Sequence, residues 1–262
     1  MTATRIALQI HPQQADYEAI RGAVRDAEEM GFDIVYNWDH FYPLYGEPDG
    51  KHFECWTMLG AWAEQTTRIE FGALVTCNSY RNPQMLADMA RTVDHLSGGR
   101  LIFGIGSGWF ERDYDEYGYD FGTAASRLAN LGDALPLIEQ RWAQLNPAPT
   151  RKIPVLIGGG GEKVTLKLVA RHADAWHYFP DNPEIQAHKI AVLRSHCEAL
   201  GRDPGEIEMS IGSHPHKITE DLETVDEYHD LGVRQFTLGF GGPDFDLAPA
   251  ADWLVWRDSK NA

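Results

Sequence analysis

The 262-residue chain is close to the ~250 residues of one (β/α)8 barrel, and its 43% hydrophobic and 24% charged residues suit a globular fold with a large core. Its 39 acidic against 23 basic residues give a formal charge of −16, which argues against nucleic acid and anionic membranes as partners, since both need a basic face. Cys55, Cys77 and Cys197 lack CxxC spacing, and no apolar run nears the ~18 residues of a membrane span, so neither a disulfide framework, a zinc knuckle nor a membrane helix is indicated.

In chain order, Met1–Arg5 leads directly into a strand-like segment with no apolar leader, so a cytoplasmic protein is expected. Arg5–Ile10 reads as the first strand. Asp16–Met30 reads as a helix with apolar Ala19, Ile20, Ala23, Val24 and Ala27 on one face, and Gly31 ends it. Phe32–Trp38 is the second strand. A loop rich in Tyr, Pro and Gly follows, then a helix at Cys55–Gln65. Ile69–Thr76 is the third strand, Pro83–Leu96 a helix opened by proline, and Leu101–Ile105 the fourth strand. After a glycine-rich turn and an aromatic, acidic loop comes a long helix at Ala125–Leu145 and a linker at Asn146–Thr150. Then follow strand five at Pro154–Ile157, a helix at Glu162–His172, strand six at Ala173–Tyr178 and a helix at Pro183–Leu200. Strand seven at Ile207–Ile211, a helix at Asp221–Leu231, strand eight at Gln235–Leu238 and a helix at Ala250–Arg257 close the chain. Strands alternating with helices predict a parallel sheet covered by helices, here a single (β/α)8 TIM barrel over residues 1–262. A doubly wound open sheet would want a glycine fingerprint after its first strand, and His11-Pro12-Gln13 stands there instead.

The chemistry of such a barrel sits where its strands end. Trp38-Asp39-His40 ends strand two, and an acid beside an imidazole can move and orient a proton. A capping Asp beside a packed His fits that segment equally well. Leu74-Val75-Thr76-Cys77-Asn78 ends strand three and by itself says only that a buried strand meets a polar rim. Gly104-Ile105-Gly106-Ser107-Gly108-Trp109 follows strand four without the dinucleotide spacing. It could let a flat ring approach the backbone or be a permissive turn. Gly158-Gly159-Gly160-Gly161-Glu162-Lys163 follows strand five and opens a helix. Successive amides there can cradle a phosphate, with Lys163 adding charge. Gly239-Phe240-Gly241-Gly242 after strand eight is the second candidate for that role. The eleven histidines include His214 and His216, but no HExxH occurs and no HxH stands on the first strand, so no metal site is expected.

Several of these segments together resemble the luciferase-like oxidoreductase superfamily. They are Leu74-Val75-Thr76, Tyr80-Arg81-Asn82-Pro83, Asp94-His95-Leu96-Ser97-Gly98-Gly99-Arg100, the Gly104–Trp109 run, Tyr117-Gly118, Phe121 and the stretch from Lys163 to Trp176. The likeness runs from strand one to strand six and weakens from Ile207 onward. Trp38-Asp39-His40-Phe41 with the following Pro43–Gly50 resembles the branch that uses the deazaflavin F420; FMN, as in the luciferase-like monooxygenases, is the alternative cofactor. The resemblance implies an F420-dependent oxidoreductase passing a hydride between the deazaflavin C5 and a small organic substrate. Asp39 and His40 would be the acid–base residues. Cofactor contacts would come from Ala73, Leu74, Val75, Thr76 and Asn78, from Gly106, Gly108 and Trp109, and from Gly158, Gly159, Gly160, Gly161, Glu162 and Lys163. It also implies a cis peptide at Ala73–Leu74 behind the ring, and a pocket walled by Trp38, Tyr42 and Trp109. A metal-dependent hydrolase and a barrel that binds F420 without turnover are the other readings, and a homodimer is an expected assembly. The segment between the strand-four helix and strand five is short for the family, which leaves the substrate open.

Overall fold

The computed structural model describes residues 3–262; Met1 and Thr2, where the N-terminal reading begins, lie outside the described residues. Among the described residues nine strand segments form one sheet: β1 (Arg5–Ile10), β2 (Ile34–Asn37), β3 (Glu70–Ala73), β4 (Thr76–Cys77), β5 (Leu101–Gly106), β6 (Val155–Gly158), β7 (Ala175–Tyr178), β8 (Glu208–Ser213) and β9 (Val233–Phe240). Every pairing in the sheet is parallel, and the ring closes through β1–β9 and β3–β5. β3 and β4 are two halves of one stave, interrupted at Leu74 and Val75, so the barrel is the expected eight-stave (β/α)8 fold.

The helices are α1 (Tyr17–Met30), α2 (Cys55–Gln65), α3 (Pro83–Ser97), α4 (Glu111–Tyr117), α5 (Ala124–Gln144), α6 (Thr165–His172), α7 (Pro183–Leu200), α8 (Ile218–Asp230) and α9 (Ala251–Asn261). α1 shows why they form where they do. Ile20, Ala23, Val24 and Ala27 recur at helical spacing and are all buried, and Gly31 closes the helix in the left-handed region at φ 94°. Burying Ile20 and Val24 contributes roughly 1.5–3 kcal/mol each. No helix among the described residues is long and apolar enough to cross a membrane.

Two cores result. Outward-facing strand residues such as Ile6, Leu8, Phe71 and Trp176 pack on the helices, while Ala7, Ile34, Tyr36, Leu74, Ile102, Leu156 and Ala175 fill the barrel axis. The Leu96–Arg100 motif proves to be a structural tie at the N-terminal end of the barrel. Gly98 caps α3 at φ 65°, and the Arg100 guanidinium donates to the carbonyls of Ala63, Thr66 and Ile69 at 2.8–3.0 Å. Gly104 serves the barrel wall: a Cβ there would lie 2.0 Å from the Ala73 carbonyl oxygen, so only glycine lets β5 approach β3.

The structure corrects four local expectations. Residues Glu111–Tyr117, read as loop, are helix α4, which buries only Asp113 and Tyr114 and therefore shows no apolar period. α6 begins at Thr165 instead of Glu162, because the four glycines are followed by a turn through Val164. α8 begins at Ile218, three residues before the expected Asp221, and buries that isoleucine. The non-proline cis peptide joins Leu74 to Val75, not Ala73 to Leu74. Ala73 still pairs with Asn37, and the Leu74 amide still donates to the Asn37 carbonyl at 2.8 Å, so the ladder breaks one residue later than expected.

Candidate active site

A cavity of about 690 Å³ opens at the C-terminal ends of the strands. Its size and its place at the barrel mouth are those of a small-molecule site. A smaller cavity of about 270 Å³ beside α8 shares Phe179, Ser213 and His214 with it but carries none of the expected acid–base residues.

One wall is the interrupted stave. Leu74, Val75 and Thr76 line the cavity, and Gln9 Nε2 holds the Leu74 carbonyl at 2.8 Å. Gly106 and Gly158 lie beneath Val75. Cβ atoms there would stand 2.7 and 3.1 Å from its methyl groups, so these glycines let the bulge protrude. Ala73 is in the expected segment but does not reach the cavity: strand alternation turns its side chain to the outer core. Asn78 is buried in a 3₁₀ turn and also stands outside the lining.

The opposite wall is built from the end of β2. The fully buried Asp39 carboxylate accepts from Thr76 Oγ1 (2.6 Å), the Cys77 amide (3.0 Å) and both terminal nitrogens of Arg81 (2.6 and 3.1 Å). Arg81 also pairs with Glu54 at 2.5 Å. Asp39 thus clamps the third stave to the second. His40 is placed differently. Its Nδ1–H donates to Asp113 Oδ2 at 2.8 Å, and Trp109 and Phe110 meet its ring edge-on at 5.6 and 5.4 Å. Asp113 is fully buried and accepts from the Phe41 and Tyr42 amides (both 3.1 Å) and the Tyr80 hydroxyl (3.0 Å). Burial, with Cys77 and Asp113 alongside, pushes the Tyr80 hydroxyl well up and keeps it a donor. A carboxylate only accepts, so Asp113 holds a proton on His40 Nδ1 and leaves the other ring nitrogen, Nε2, free of this bond.

Trp38 and Trp109 line the site as expected, while Tyr42 does not. Its ring is taken by the Arg112 guanidinium at 3.9 Å. Gly108 is also in the lining. At the glycine corner, Gly158, Gly159 and Gly160 reach the cavity, whereas Gly161, Glu162 and Lys163 do not. The Gly161 carbonyl accepts from Leu166, Glu162 pairs with Lys189 and His188 at 3.1 and 3.2 Å, and Lys163 is exposed. The cation at this corner is instead Lys189 of α7, whose ammonium donates to the Gly160 carbonyl at 2.8 Å. Gly159 spends its amide on the His177 carbonyl, while the Gly160 amide has no partner among the described residues.

Sequence reasoning missed Asp113, Lys189 and His177. Asp113 is one of four acids between Glu111 and Glu116, and nothing local distinguishes it. Lys189 and His177 read as a surface helix residue and a strand residue.

Three histidines are held neutral, His11 and His177 in the cavity lining and His52 beside Trp38. Burial, then His214, lowers His11 to about 3; burial, then His40, lowers His52 to about 4; burial alone lowers His177 to about 3. Each folded value lies below the unfolded one of about 6.5, so the stability they permit is complete above that pH and is lost as pH falls toward 4 and 3. We expect the thermal midpoint to drop between pH 7 and pH 5, above the range where carboxylates titrate. His52→Gln, which can still accept from Trp38 Nε1 (3.0 Å in the parent), should flatten that slope. An equal slope in the variant would remove His52 from the account.

Comparison with known proteins agrees with this architecture. Residues 1–258 match the luciferase-like monooxygenase family, and the chain belongs to that family. It is 27% identical to an uncharacterised protein of Mycobacterium tuberculosis over 92% of this chain and 93% of that one. It is 30% identical to an F420-dependent glucose-6-phosphate dehydrogenase of Kineococcus radiotolerans, over 71% of this chain and 60% of the relative. Among solved structures, an F420-dependent secondary alcohol dehydrogenase in complex with an F420–acetone adduct superposes with a TM-score of 0.84 at 17% identity, covering 96% of this chain and 98% of the other.

Proposed function

We propose that this protein is an F420-dependent oxidoreductase that transfers a hydride between the deazaflavin C5 and a small, uncharged organic substrate. The observation that carries the reading is the meeting, in one cavity, of the Leu74–Thr76 bulge, the Gly158–Gly160 corner and the His40–Asp113 pair. The F420-dependent relatives support the choice of cofactor.

The residues fit such a group. Val75 offers a protruding apolar surface with glycines behind it, and the free Gly160 amide and Lys189 form a corner for an anion. When bound, the deazaflavin supplies the hydride chemistry at C5. The protein's part is to orient and to handle the proton. Asp113 holds His40 so that Nε2 can take or give the proton that accompanies a hydride transfer. Trp38, Trp109, Leu44 and Phe179 give the space beside it an apolar wall.

The substrate class follows from charge. Among the described residues the cavity lining holds no Lys or Arg, its carboxylate Asp39 is already matched by Arg81, and His11 and His177 are neutral. With the Gly160–Lys189 corner taken by the cofactor's own anion, a phosphorylated substrate would enter without a further counter-charge, and burying an unpaired charge is costly.

Titration of the purified protein with F420 and with FMN tests the cofactor directly; tighter binding of FMN would overturn the F420 reading. Gly160→Val should weaken F420 binding by roughly tenfold, about 1.4 kcal/mol, while the protein stays folded. A Cβ at this position would lie 2.4 Å from the Tyr178 ring, which is stacked on Trp176, so the corner must distort. Unchanged affinity would move the anion site elsewhere, with Gly239–Gly242 next to test. Turnover with neutral alcohols or ketones but not with a sugar phosphate is the expected substrate pattern; the reverse would refute the charge argument.

A further inference from the structure

His177 is a buried imidazole at the floor of the cavity that the mechanism above does not use. It sits on β7 opposite Ser210 of β8. Its neighbour Trp176 packs outward, whereas Ala175 and His177 face the barrel axis, as the two-residue strand period requires. Only 3% of the residue is exposed, yet it belongs to the cavity lining. Its Nδ1 is 2.8 Å from Ser210 Oγ, while its Nε2 is buried with no partner among the described residues.

A chain of hydrogen bonds along the barrel axis sets which nitrogen carries the proton. At the closed end, Arg5 can only donate, and its guanidinium reaches Gln235 Oε1 at 3.4 Å. That orients the Gln235 amide, whose Nε2 then donates to Ser210 Oγ at 3.0 Å. Ser210 and Gln235 are both fully buried, so the serine hydroxyl proton needs an acceptor, and His177 Nδ1 is the one in reach. His177 must then carry its proton on Nε2. Its buried surroundings keep it from gaining a second. The result is a neutral, oriented N–H donor at the cavity floor with nothing to donate to.

We propose that His177 Nε2–H is a built hydrogen-bond donor for an acceptor atom, a carbonyl oxygen or an unprotonated ring nitrogen, on the molecule that fills the cavity. Such an acceptor is offered by the pyrimidine edge of a deazaflavin or flavin ring, and equally by a carbonyl substrate. The inference rests on the proposed function only in taking F420 as the probe.

The state of the donor is read without any ligand. In the full-length protein labelled with 15N-histidine, the His177 signals, identified by their loss in His177→Gln, should report the Nε2–H tautomer from pH 5 to 8. An Nδ1–H tautomer or an imidazolium would overturn the proposal. The source of the acceptor is read by titration. His177→Phe, which removes the donor but keeps a ring, should bind F420 roughly tenfold more weakly and shift the absorbance of the bound cofactor, and His177→Gln should recover part of both. Unchanged F420 affinity with a tenfold higher KM and an unchanged kcat would assign the acceptor to the substrate instead. No change in either quantity would sink the idea. If His177→Phe does not fold, Ser210→Ala, which releases the tautomer from outside the cavity, should give the same loss in weaker form, and an unaltered affinity and KM there would count against the proposal. A wild-type protein that binds neither F420 nor FMN would refute the cofactor reading, while the tautomer measurement would still judge His177.

Discussion

Replacing His40 with alanine is expected to lower turnover about 10²–10⁴-fold while leaving F420 affinity within a few-fold. The reason is placement. His40 lines the cavity with a ring whose Nδ1 is locked on Asp113 at 2.8 Å, and the proposed function assigns the reacting proton to its Nε2. Asp113 in turn cannot rotate away, because the Phe41 and Tyr42 amides and the Tyr80 hydroxyl hold both its oxygens. Asp113→Asn tests the positioning half of this pair. An amide can still cap the loop, but it no longer fixes the tautomer, so kcat should fall with little change in KM. Rapid-mixing measurement of cofactor oxidation or reduction on both variants, alongside their thermal midpoints, checks the assignment. Unchanged turnover in His40→Ala would remove it as the proton partner and leave His11, which also faces the cavity, as the next group to test.

Asp39→Ala is expected to act on stability by about 3–5 kcal/mol, the usual effect of stranding one partner of a buried ion pair. Asp39 is fully buried and Arg81 nearly so, and the carboxylate also carries the Thr76 hydroxyl and the Cys77 amide. Losing it frees the third stave, on which the Leu74–Thr76 wall depends. Glu54 remains beside Arg81 and should hold the effect toward the lower figure. Chemical denaturation of the parent and the variant measures the loss directly. Asp39→Asn should be milder and should retain turnover per folded molecule. If Asp39→Asn is instead as stable as the parent and inactive, Asp39 takes part in the proton step after all.

The two neighbours Asp39 and His40 were inseparable in sequence as an acid–base pair, and the fold gives them different partners. Each points to a different element: Asp39 to Arg81 on the next stave, His40 to Asp113 on a short helix after the fourth. The glycine corner divides in the same way. Gly158 to Gly160 face the cavity where the strand ends, and beyond them the turn carries Glu162 and Lys163 away, so the cation comes from Lys189.

What the sequence determined by itself is what local physics encodes. Alternating apolar periods, the helix-ending Gly31 and the proline at the first turn of α3 placed the staves and most helices to within a few residues. Those signals act over one or two turns of chain, and the parallel barrel follows from their order. What only the tertiary structure decided is every partnership across the barrel mouth. His40 meets Asp113 across 73 positions, Asp39 meets Arg81 across 42, and His177 is tied through Ser210 and Gln235. Closure of the ring brings these groups within hydrogen-bond range and strips their water. No local pattern records which acid, cation or imidazole will be left facing the cavity.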